Sequence, residues 1–127
     1  MLVCAASLYA EQPAEIEHYL EKTIRAYAKC IESLSTARDA LEAAGAVEKY
    51  AEDMKSVMSM SAELEKRFPG FQTSESFKSE VAKRKVMQKF LELNDLLGQA
   101  HAKYGQQSAY REAEKSLIEA GLYGRND

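Results

Sequence analysis

The stretch at residues 77–104, FKSEVAKRKVMQKFLELNDLLGQAHAKY, decides how the chain is read. It holds no proline, its single glycine is Gly98, and Gly70 and Gly105 bracket it. Val86, Phe90, Leu93, Leu97, Ala100 and Tyr104 recur at steps of 4, 3, 4, 3 and 4. At about 100° per residue they fall in a sector roughly 80° wide, the stripe of a helix that leans on a core. The 4–3 alternation is that of a seam between nearly parallel helices. The spacing predicts one long helix over the whole stretch, with the rest of the chain laid against it.

Phe77, Met87 and Leu91 form a second ridge, about 100–180° around that helix from the first. A helix with two apolar faces must bury both or present one for association. The ridge is therefore the candidate interaction surface. The plainer alternative packs Phe77 under the preceding loop and leaves Leu91 as an ordinary exposed leucine. Lys78, Lys85 and Lys89 share one strip of the same helix, with Lys83 and Arg84 beside it. The strip lacks interleaved aromatics and the chain carries a formal charge of −3, so it reads as a solvated face. No nucleic-acid partner is expected.

Working outward, the chain of 127 residues is long enough to bury a core without a metal or disulfide scaffold. Apolar content of 46% with 29% charged residues belongs to a folded protein. β-branched residues are sparse and no run alternates with period two, which favours an all-α chain. There is no apolar run long enough for a membrane span. Cys4 and Cys30 do not make a disulfide framework, although a bridge between them is an option in an oxidising compartment.

Residues 1–10 are apolar and uncharged, then change abruptly to Glu11-Gln12-Pro13. This start reads as the remnant of a secretory signal peptide, without its basic beginning, and leans the chain towards export, periplasmic or secreted. Pro13 suits the first position of a helix over residues 14–43. In that helix Ile16, Leu20, Ile24, Tyr27, Ile31, Leu34 and Leu41 share a side. Ser33-Leu34-Ser35-Thr36 is its weakest part, because hydroxyls there can bond back to the chain, and Arg38 occupies a core slot. A break near Ser35 is open; Gly45 is read as the end.

A second helix follows over residues 46–67, with Val47, Tyr50, Met54, Val57, Met58, Ser61 and Leu64 inward and Phe68 just beyond. Pro69-Gly70 stops it, and Thr73 or Ser74 caps the next. A short fourth helix over residues 108–120 turns Tyr110, Ala113, Leu117 and Ala120 inward. Short connections imply antiparallel neighbours. The expected fold is an antiparallel up-down-up-down four-helix bundle with a long third and a short fourth helix. It occupies residues 13–123, between the apolar segment 1–12 and a tail at 124–127.

Candidate chemistry is thin. Glu15-Ile16-Glu17-His18 contains Glu-x-x-His, half of a di-iron carboxylate motif, but His101 has Gly98 three residues before it. His18 also points away from its helix's apolar stripe, into water. Length and layout are similar to small haem-binding bundles, where His101 with Met54 or Met58 would be the axial pair. There is no Cys-x-x-Cys-His. Met54, Met58 and Met60 invite copper, yet two of them share the core stripe, where methionine fills gaps. No Gly-x-Ser-x-Gly turn and no phosphate loop occurs. Tyr27, Tyr50 and three other tyrosines border apolar stripes.

The sequence therefore points to a non-enzymatic module without a cofactor, acting on a protein partner or on itself as a homodimer. Phe77, Met87 and Leu91 would be the contact surface. The alternative is a small-ligand or haem carrier lined by Tyr27, Tyr50, Met54, Met58 and His101.

Overall fold

The computed structural model describes residues 13–122. Five α-helices and one 3-10 turn account for nearly all of them, and no strand occurs among the described residues. They are α1 (Ala14–Thr36), α2 (Ala40–Arg67), the 3-10 turn Phe71–Thr73, α3 (Glu75–Lys83), α4 (Val86–Tyr104) and α5 (Ser108–Glu119). No helix among these residues is long and apolar enough to cross a membrane. The apolar start and Cys4 lie outside the described residues.

α1 ends where its hydroxyls compete with the ladder. Thr36 Oγ1 donates back to the Glu32 carbonyl at 3.0 Å, and Ala37 is extended. Asp39 then caps α2 by accepting from the Glu42 N–H at 2.9 Å, while the Glu42 carboxylate accepts from the Arg38 N–H. This reciprocal pair is a close variant of the capping box. The first helix therefore does not reach residue 43, and Gly45 lies inside α2 rather than ending α1. The break also resets the helical phase: Leu41 is 72% exposed, and Arg38 faces solvent, paired with Glu42.

α2 is the middle element, with α1 on one side and α5 on the other. Its first half buries Ala40, Ala43, Ala44, Ala46 and Ala51 together with Val47 and Tyr50. Small residues there let two neighbours approach closely. α1 and α2 are antiparallel: Glu15 meets Arg67 at 2.8 Å at one end, and Cys30 Sγ lies 3.9 Å from the Ala46 carbonyl further along.

After α2 the chain does not fold straight back along it. Pro69 and Gly70, the latter with φ of 74°, turn it through the 3-10 segment and α3 to the side of α1. α4 then runs beside α1 in the same sense, with Arg84 at Glu17 and Phe90 5.8 Å from Tyr27. α5 returns antiparallel to α4, with Tyr110 6.0 Å from Tyr104, and packs on α2.

The long helix expected over residues 77–104 is two helices. Arg84 and Lys85 interrupt it, and Lys85 adopts left-handed backbone at φ 55°. The cause is visible in what each piece buries. α4 keeps the first stripe inside, with Val86, Leu93, Leu97, Ala100 and Tyr104 buried. α3 turns Phe77 into a cluster with Ile16, Leu20, Leu64 and Phe71, which Val86 joins from the start of α4. One straight helix would point Phe77 and Val86 to opposite faces, so the elbow lets both leave water while Met87 and Leu91 stay exposed.

Candidate functional site: an apolar groove at the α3–α4 elbow

Ser74 starts α3 by accepting from the Phe77 N–H at 3.2 Å, with Glu75 in the first turn. That fixes the phase of a nine-residue helix whose Phe77, Lys78, Val81 and Ala82 share a face. Beyond the elbow, Met87 and Gln88 begin α4 on the opposite wall, and Gln72 closes one end from the 3-10 turn. Together with Lys85 these residues line an open groove of about 470 Å³. That size falls in the range of ligand sites, and the wall is largely apolar.

Phe77 is the floor. It is only 9% exposed, edge-on to Phe71 at 5.3 Å and stacked near Tyr19 at 6.4 Å. It belongs to the core as much as to the groove, so the expectation of an exposed Phe77 is corrected: it packs under the preceding loop. Met87 and Leu91 are each 58% exposed. They are four residues apart on α4, so the apolar track continues one turn beyond the groove.

The charges at the elbow divide into two sets. Glu80 is bonded by Lys83 at 3.3 Å and by Arg84 at 3.0 Å, and Arg84 also donates to Glu17. These bonds hold the Glu80 carboxyl below its ordinary value of 4.5 and raise Arg84. Lys78 and Lys85, which line the groove, make no ion pair with any described residue. The elbow also splits the lysine strip of a continuous helix: Lys89 does not line the groove. Lys85 holds left-handed backbone, which costs a non-glycine residue about 1–2 kcal/mol.

The five residues of the carrier reading do not converge. Tyr27 and Tyr50 meet, with ring centroids 6.3 Å apart, and Met54 is buried in the same core. Met58, expected inside, is 44% exposed although it shares the stripe of Val47 and Met54: beyond Met54 only Val57 and Leu64 of α2 are buried, so the covered face narrows along the helix. His101 lies near the far end of α4, its Nδ1 2.6 Å from the buried Glu114 carboxylate of α5. The opening beside Cys30 and Tyr50 is about 20 Å³, no larger than a water or so. Of the half-motif on α1, Glu15 pairs with Arg67 and His18 is exposed.

Cys30 is buried, and desolvation pushes its thiol up from 9.0 to about 12, so it is a small hydrophobe rather than a nucleophile. The sequence reading missed Gln72, Val81, Ala82 and Gln88 as groove walls. They become walls only once the elbow folds α3 against the start of α4, and no glycine or proline marks that elbow. No family model, no curated protein and no solved structure matches the chain.

Proposed function

We propose that this chain is a non-enzymatic helical-bundle module that works by holding another protein chain against its α3–α4 elbow. In this reading α1, α2, α4 and α5 run alternately up and down as one bundle, and α3 is a bracket that shapes the contact face. The observation that carries the proposal is the pairing of two large exposed side chains, Met87 and Leu91, with an apolar groove floored by Phe77. Exposed apolar side chains scattered singly mean little, whereas a groove continuous with an apolar track marks a place where a partner is seated.

The test is a photo-crosslinking amino acid placed at Met87, and separately at the exposed Glu48 on α2, in the cells that make the protein. A discrete crosslinked product from position 87 and none from position 48 is the expected result. No product from position 87, or the same products from both positions, would overturn the proposal.

A further inference from the structure

We infer that the partner docks an acidic amphipathic helix in the groove, an inference that rests on the partner-binding reading above. Three observations select this occupant. The first is shape. The groove is open along one side, and the exposed track runs past it from Met87 to Leu91. A small apolar molecule seated between α3 and α4 would leave Leu91 in water. A helix laid along the groove covers both walls and the track with side chains at i, i+3, i+4 and i+7.

The second is charge. Lys78 and Lys85 stand on the groove wall without carboxylate partners among the described residues, while the nearby Glu80 and Glu17 are taken up by Lys83 and Arg84. An apolar seat flanked by two uncompensated ammonium groups favours an apolar ridge flanked by carboxylates. It disfavours a second copy of this chain. A twofold contact sets a patch against itself, which would bring Lys78 and Lys85 of both copies together.

The third is Lys85 itself. Its left-handed backbone is one that glycine holds without strain. The chain has a lysine there, and that lysine is one of the residues lining the groove.

The experiment titrates the isotope-labelled chain of 127 residues, followed by amide NMR, with three probes. One is a synthetic helical peptide with leucines at i, i+3, i+4 and i+7 and glutamates along both edges. The second carries the same leucines with lysine replacing every glutamate. The third is dodecanoate. The acidic peptide is expected to shift the signals of Val81, Ala82, Met87 and Leu91 and to bind about tenfold more tightly than the basic one. The Lys78→Glu/Lys85→Glu double variant, with helicity checked by circular dichroism, is expected to reverse that order.

Equal binding of the two peptides at this face would overturn the acidic preference while leaving the partner-binding face standing. Dodecanoate shifting these signals while neither peptide does would replace the helix with an anionic amphiphile and overturn the inference. Silence from all three probes, with crosslinks still forming at position 87, would overturn the inference alone. A crosslinked product of two copies of this chain would do the same.

Discussion

The guanidinium of Arg84 bonds Glu17 of α1, 67 positions earlier in the chain, and at the same time bonds Glu80 of its own helix. The residue that ends α3 is thus tied to the helix against which α3 and α4 fold. The elbow is held open at a set angle by this three-group link, just before the left-handed Lys85. Because all three side chains are partly exposed, the link is worth about 1 kcal/mol rather than several. Arg84→Ala is expected to lower stability by about that amount in urea unfolding. It should also speed hydrogen exchange in α3 more than in α2.

The floor and the track of the groove should separate cleanly by substitution. Phe77 is buried among Tyr19, Phe71 and Ile16, so Phe77→Ala removes a packed ring and leaves a cavity. A loss of about 3–5 kcal/mol is expected. Met87→Ala removes an exposed side chain and should stay within about 0.5 kcal/mol of the parent. Urea midpoints for the two variants check both numbers.

Lys85→Gly tests whether the strained position serves binding. Relief of the left-handed backbone is expected to raise stability by about 1 kcal/mol, since glycine adopts φ near 55° without a Cβ clash. The same change removes one of two groove lysines and should weaken binding of an acidic partner. A variant that is both less stable and equally competent to bind would count against the account.

The alkaline limb of the stability curve has a defined sign. The Cys30 thiol is raised from 9.0 to about 12 by burial. The unfolded chain therefore loses that proton above pH 9 while the folded chain keeps it. Stability from this group is full below pH 9 and falls as pH climbs to about 12, by up to about 4 kcal/mol in all. Tyr27 and Tyr50, raised from 10.0 mainly by burial, act in the same direction from pH 10 upward. In Cys30→Ala the fall between pH 9 and 10 should be absent, as read from urea midpoints across that range. On the acid side, Glu15, Glu42 and Glu80 lie below their ordinary 4.5, so their support is present above that value and fades as pH drops through the lowered range.

Much of the helical layout was legible from local patterns. The 4–3 stripe from Val86 to Tyr104 is the buried face of α4, and Tyr110, Ala113 and Leu117 are buried in α5. Pro69-Gly70 and Ser74 stop and restart the chain as their chemistry requires. The break after Thr36 was half legible. Asp39 and Glu42 carry a capping signature, but Gly45 looked like the stronger stop. Its place inside α2 costs about 1 kcal/mol against alanine, which the buried residues on either side of it, Ala43, Ala44, Ala46 and Val47, outweigh. The elbow at Lys85 was not legible, because a run without glycine or proline reads as continuous helix. What breaks it is tertiary: Phe77 and Val86 enter the same buried cluster, yet nine residues apart on a straight helix they would point to opposite faces. The ridge of Phe77, Met87 and Leu91 was visible as a face, while its division into floor and track needed the fold.

We propose that the exposed side of the elbow serves a partner and not stability. Leu91→Glu tests it most directly, with the crosslinker at Met87 and urea unfolding measured on the same variant. The account predicts a stability within about 0.5 kcal/mol of the parent together with loss of the crosslinked product. A crosslinked product that survives the substitution undiminished, or a variant that unfolds because Leu91 was holding the bundle together, would contradict it.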